Sequence, residues 1–507
     1  MISDNLVLVF VHGWSVTNLN TYGQLPLRLK AEAAAIAPTV TVKDIYLGQY
    51  VSFHDEVQLH DISRAFETAI HEQLAAEIAD DNRFVCITHS TGGPVVREWF
   101  DFYYNKPGAS VCPMSHLIML APANFGSALA QLGKSKISRL KSWFEKVEPG
   151  QGVLNWLELG SDKAWDLNKK WINGEGGEIG GNGIFPFSII GQAIDRAFYD
   201  NLNTYTGELG SDGVVRSAAA NLNATYVSVK QGPVVYTQGE NVPQAMTVDF
   251  SIAPKTAFRI VKWKSHSGTT MGIMASPKES AAGDTPESVQ LVEAILNCIK
   301  VSNVDEYSAL SATFDAETEA VQQLELVEKV SAGFFLHDRY FIHDKFSMVI
   351  FRIHDSEGYP ITDYDLIFTA GDNADPNHLP EGFFADRQQN SISPQTVTYF
   401  INYDIMNGDA GVTYEGNELR PSLPGAQKLG LKVNPRPDSG FIKYVPFEIA
   451  ADEDFLQKVI RPNCTTLIDI CLQRVVSKDV FSLISYDGPM PLDKDFSGLE
   501  PDNDYAS

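Results

Sequence analysis

Short apolar runs and helix-like stretches take turns along the chain up to about residue 300, and that rhythm leaves few folds open. Residues 6–11 read LVLVFV with no polar break, as in a strand covered on both faces. A helical stretch at 25–35, a strand at 40–47, a helix-spaced segment at 62–78 and a second buried strand at 84–87 follow. Residues 94–103 read as a helix and 117–120 as a further strand, and strand signals return at 187–190 and 225–229. Strands separated by helices predict a mostly parallel sheet with right-handed crossovers. Helical periodicity at 287–301 (ESVQLVEAILNCIKV) closes the region. Residues 1–302 are therefore expected to form one α/β unit.

Beyond residue 303 the helical rhythm stops. Segments 346–353, 364–368, 397–405, 441–447, 466–476 and 480–485 look like strands, separated by Pro, Gly, Asn and Asp. Many strands without helices between them predict an all-β, sandwich-like C-terminal domain over 303–507, with an acidic tail. A chain of 507 residues also exceeds what one hydrophobic core usually organises.

One stretch, 124–185, interrupts the α/β pattern. It holds Trp143, Trp156, Trp165 and Trp171, four of the seven tryptophans. The expectation is a helical cap insertion over the site, whose aromatics meet an apolar substrate or a lipid interface. The alternative is that the tryptophans simply pack on the sheet.

Charge narrows the partners. The 64 acidic residues outnumber 39 basic ones, for a formal net charge of -25. Such a field opposes nucleic acid, whose phosphates need clustered Lys and Arg, and favours neutral or cationic partners. The five cysteines (Cys86, Cys112, Cys298, Cys464, Cys471) have no CxxC spacing, so neither a disulfide framework nor a zinc site is indicated. Residues 1–5 run straight into the first strand without a basic region or a small-residue cleavage site. No apolar run approaches the ~20 residues of a membrane helix. A cytoplasmic location is expected, with export independent of a signal left open.

Chemistry concentrates at residues 83–100, RFVCITHSTGGPVVREWF. A buried strand delivers Ser90 to a sharp corner, two glycines follow, and a helix begins. A serine hydroxyl is a weak nucleophile unless it is held exposed beside a base, and a strand-turn-helix corner holds it so. Gly92 supplies the small residue needed where strand and helix approach, while Thr88 stands where the G-x-S-x-G form has glycine. Backbone N–H groups must then face the developing oxyanion. The candidates are Thr91, next to the serine, and Trp14, in the His12-Gly13-Trp14 turn after the first strand. His12 itself reads as structural.

A carboxylate and a histidine should follow in that order. Asp212 in LGSDGVV precedes a strand-like run, with Asp195 and Asp200 as rivals. His266 is the one histidine after Asp212 and before the α/β unit ends. Its expected role is general base toward Ser90, with Asp212 fixing its tautomer.

In the order VHGWS, THSTGG, LAPANFGSALA, SDGVV and SHSGTTMGI, the first three-fifths of the chain resembles the bacterial lipase and phospholipase branch of the α/β-hydrolase family. The resemblance implies hydrolysis of a carboxylic ester, a lipid or phospholipid substrate met at transient membrane-surface contact, and no cofactor or metal. It makes Pro122, Asn124, Gly126 and Ser127 a structural wall of the site. Acyl transfer to an alcohol and an inactive hydrolase fold serving as a binding module are the competing readings. In the second half, the pairs His337-Asp338, His343-Asp344 and His354-Asp355 do not share one face and read as strand ends and turns. Asp372, Asp375 and Asp386 match no calcium loop.

Overall fold

The computed structural model describes residues 5–12, 22–45, 55–79, 82–131, 150–194, 208–237, 240–330, 338–449, 455–477 and 487. Two large sheets organise them. Their strands in chain order are β1 Asn5–Val11, β2 Thr39–Ile45, β3 Phe84–His89, β4 Met114–Leu120, β5 Phe185–Gly191, β6 Thr225–Gln231, β7 Met246–Ile252, β8 Ala257–Val261, β9 Phe346–Asp355, β10 Phe384–Gln389, β11 Thr396–Asn402 and β12 Thr465–Leu472.

The first sheet runs β8-β5-β4-β3-β1-β2, parallel at every pairing. Helices α1 Leu25–Ala33, α2 Leu59–Gln73, α3 Gly92–Tyr103 and α6 Pro286–Lys300 cross between or flank its strands. Strands β3 and β5 are buried along their whole length, as unbroken apolar runs between two helical layers require. This is the expected α/β-hydrolase sheet.

The second sheet runs β10-β11-β9-β12-β6-β7. The strand expected at 225–229 therefore forms but belongs here, antiparallel to β7 and parallel to β12. Its sequence TYVSVKQ alternates apolar and polar residues, and its burial alternates from Val227 onward; one face of it is wet, unlike the fully buried β3 and β5 of the first sheet. One face of β9, with Met348 and Ile350, joins the core of the α/β unit. The other, with Val349, Phe351 and Ile353, packs against Phe368, Leu431 and Val433 of a three-stranded sheet. The result is sandwich-like, and its middle layer leans on the α/β unit.

A further departure lies at residue 304. Helix α7, Val304–Leu324, occupies the start of the region expected to be all β. It covers the edge strand β8. The Tyr307 and Thr318 hydroxyls accept the Ala257 and Ile260 N–H groups at 3.1 and 3.0 Å, capping donors that a sheet edge would leave open.

The insertion after β4 contains helices α4 Gln151–Leu157 and α5 Asp162–Ile172. Trp156, Trp165 and Trp171 are buried in the main core, so these three are packing residues and not a lipid-facing surface. Trp143 and the strand expected at 480–485 lie outside the described residues. Among the described residues no helix is long and apolar enough to cross a membrane.

Candidate active site

Ser90 sits at φ 54°, a left-handed conformation that a non-glycine residue adopts only when its surroundings impose it. The surroundings do. Its N–H donates to Leu120 O at 3.0 Å, and its carbonyl accepts from Gly93 at 3.2 Å. The corner is tight enough that a Cβ on Gly92 would lie 2.7 Å from Val11 O and 3.0 Å from His12 O. A small residue is required there because the first turn of α3 rests on the end of β1. Thr88 is wholly buried, and its hydroxyl has no partner among the described residues.

Asp212 and His266 converge on this corner. The Ser90 hydroxyl donates to His266 Nε2 at 3.0 Å, and His266 Nδ1–H donates to Asp212 Oδ2 at 2.8 Å. The other carboxylate oxygen accepts from the N–H groups of Val214 (3.0 Å) and Val215 (2.8 Å). Asp212 is fully buried, so these donors replace the water a carboxylate loses. The backbones are tied as well, His266 N–H to Asp212 O at 3.0 Å. Hydroxyl, imidazole and carboxylate thus form one hydrogen-bonded chain, in which the carboxylate selects the tautomer that leaves Nε2 free to take a proton.

Of the two expected oxyanion donors, Thr91 lies at the N-cap of α3, and its N–H makes no hydrogen bond among the described residues. The dipole of α3 favours negative charge there. Trp14 lies outside the described residues, as do the rival carboxylates Asp195 and Asp200.

His89, which the sequence pattern does not mark, touches His266 directly. Its Nε2–H donates to the His266 carbonyl at 3.1 Å, and the two rings lie 4.7 Å apart. Burial first, and then the neighbouring His266, push its pKa well below the usual histidine value. Burial and the His266 ring both disfavour a charge on His89, which packs against His266 as a support for its ring. The signal was present in the motif, but a ring inside an apolar strand reads as core.

The wall residues tie the loop after β4 to the Asp212 segment. Ser127 Oγ donates to Val214 O at 2.6 Å and Asn124 Nδ2 to Ala220 O at 2.8 Å. Asn124 also accepts from the buried Arg97, whose pKa burial lowers to about 9. Beside Arg97, on the helix carrying the elbow, is a cavity of about 20 Å³ that is lined by Phe100, Leu117 and Trp171 among others and not by Ser90. It is large enough for a water and too small for a substrate.

The acidic groups singled out in the second half all have protein partners. Asp344 pairs with Arg420, His343 with Glu328, and His354 with Asp469. Asp372 pairs with Lys428, Asp375 caps Asn377, and Asp386 binds Arg216. No group of three or more metal-ligating side chains occurs among the described residues.

No protein-family model matches the chain, and no curated protein does. Among solved structures, phospholipase PlaB from Legionella pneumophila matches at 38% identity and a TM-score of 0.82, covering 96% of this chain and 98% of that one. The same protein in complex with thio-NAD matches at 38% identity and a TM-score of 0.81 over the same shares. Identity at that level along nearly the whole of both chains leaves a single conclusion. The chain belongs to the family of phospholipase PlaB, in the lipase and phospholipase branch of the α/β-hydrolases, and is an ester hydrolase.

Proposed function

We propose that this enzyme cleaves the acyl esters of lipids, phospholipids foremost, through a covalent acyl-Ser90 intermediate. The observation that carries the proposal is the unbroken Asp212–His266–Ser90 chain of 2.8 and 3.0 Å hydrogen bonds. The lipid substrate is carried over from the relative, which is a phospholipase. Residues 1–302 carry the chemistry in this reading, and 303–507 support it.

His266 Nε2 takes the Ser90 proton as Oγ attacks the ester carbonyl. The oxyanion that forms accepts hydrogen bonds from the Thr91 N–H and, by the same reading, from Trp14. Collapse breaks the C–O bond, and His266 gives its proton to the departing alcohol. Water, deprotonated by the same imidazole, then attacks the acyl-serine and releases the free acid. Asp212 stays ionised throughout and stabilises the imidazolium.

The test is a panel of p-nitrophenyl esters and phosphatidylcholine or phosphatidylglycerol vesicles, run with wild type and Ser90→Ala. Free fatty acid should accumulate, and Ser90→Ala should lose roughly three or more orders of magnitude in turnover while unfolding like wild type. Full hydrolysis by Ser90→Ala would refute the proposal. Acylated alcohol in place of free acid would replace hydrolysis by acyl transfer.

A further inference from the structure

The Asp212 loop is built as a small closed unit. Ser217 N–H donates to Gly210 O at 2.9 Å, Asp212 N–H to Val215 O at 3.2 Å, and Ser211 bridges to Arg216. Arg216 locks this closure. Its guanidinium is almost fully buried, with Nε and Nη2 donating to Glu208 at 2.9 and 2.7 Å across the mouth of the loop. Nη2 also donates to Asp386, 170 residues downstream. The guanidinium lies 4.2 Å from the centroid of the Phe400 ring.

Asp386 and Phe400 are directly paired across β10 and β11 of the second sheet, where the register shifts between Phe384 and Asp386. A bulge of this kind re-aims a side chain. Here it presents a carboxylate beside an aromatic face, the two groups that seat a guanidinium. Phe346 of β9 stacks on Phe400 at 4.8 Å and fills the space over Gly210, where an added Cβ would meet its ring at 2.5 Å. Burial disfavours the charge on Arg216, yet Glu208 and Asp386 outweigh that and raise its pKa above the usual value.

We propose that Asp386 is a positioning residue for the triad carboxylate: it anchors Arg216, and Arg216 holds the adjoining Val214 and Val215 N–H donors against Asp212. The second sheet is then a working part of the active site and not an appended module. The inference rests on Asp212 being the triad carboxylate. The mechanical link is short, because Val215, whose N–H reaches Asp212 at 2.8 Å, is covalently joined to Arg216. Misplacement of a catalytic group by about 1 Å can cost roughly 100-fold in rate.

The test is a double-mutant cycle on the full chain with p-nitrophenyl butyrate. Asp386→Asn should lower kcat by about 10- to 100-fold with KM unchanged, and Asp386→Glu should recover part of the loss. In an Asp212→Asn background the Asp386→Asn change should have no further effect on kcat, since the group it positions is gone. Phe400→Leu, which removes the aromatic seat and keeps the charge pair, should behave alike and serves if Asp386→Asn does not fold. Wild-type kcat in both variants, or an equal loss with and without Asp212, would overturn the proposal. If Asp212→Asn alone retains turnover, the triad reading fails first and the positioning role with it.

Discussion

Replacing Gly92 by alanine tests whether the close contact between α3 and β1 sets the elbow. The new Cβ would lie 2.7 Å from Val11 O, 3.0 Å from His12 O and 3.4 Å from His12 C. All three are backbone atoms, one at the end of β1 and two in the residue just after it, so no flexible side chain can swing aside. Ordinary contact begins near 3.4 Å, so helix and strand must part by about 0.7 Å, an overpacking strain of the kind that costs roughly 1–3 kcal/mol. Ser90 stands two residues before this contact, and its 3.0 Å hydrogen bond to His266 has little room to lengthen. A shift of that size should lower kcat by roughly 10- to 100-fold. Stability is read from urea unfolding and kcat from p-nitrophenyl butyrate hydrolysis. Gly93→Ala is the comparison, because its Cβ would meet side-chain atoms only, Pro122 Cβ at 2.9 Å and Met119 Sδ at 3.3 Å; the proline ring must shift slightly and the thioether can swing aside, but the end of β1 is untouched. Wild-type stability and kcat in Gly92→Ala, or a larger kinetic loss in Gly93→Ala, would mean that the contact between α3 and the end of β1 does not set the corner.

Thr88, buried just before the elbow, and His354, in the second sheet, each give a stability outcome. Thr88→Val keeps the shape of a buried residue and removes an unpartnered hydroxyl; it should stabilise the fold by about 1–2 kcal/mol, and a loss of more than about 1 kcal/mol on urea unfolding would mean the hydroxyl is bonded. His354, hydrogen-bonded to Asp469 at 3.0 Å, has its pKa raised from 6.5 to about 10. Its folded-state pKa lies above the unfolded one, so its contribution is complete below pH 6.5 and fades as pH rises toward 10. Unfolding free energy measured from pH 6 to 9.5 should therefore fall more steeply in wild type than in His354→Gln, and parallel curves would exclude the pair as a source of stability.

The parts legible in the sequence were those whose cause is local. Strand, serine, glycines and helix are contiguous at 83–100, so the elbow is readable from one window; chain order leaves His266 as the candidate histidine, while Asp212 stands beside Asp195 and Asp200 and is favoured by its place before a strand-like run. What escaped depended on distant partners. Helix α7 buries Tyr307, Ser311, Phe314, Thr318 and Gln322; three of the five are polar, so its apolar periodicity is faint although its spacing is helical. The 225–231 segment announced itself by alternation, but which sheet it would join was decided by β12, more than 200 residues later. The tryptophans of the insertion marked a structured segment without telling which way they face. Arg216 drew no notice, since the carboxylate and ring that seat it come from Asp386 and Phe400.

In the proposed mechanism Ser90 is the nucleophile because Asp212 and His266 activate it. Peptide mapping by mass spectrometry after brief exposure to a fluorophosphonate measures this directly. One adduct per chain is expected, on Ser90, formed far more slowly in His266→Ala and Asp212→Asn. Adduct on another residue, or unchanged labelling of Ser90 when His266 is removed, would contradict it.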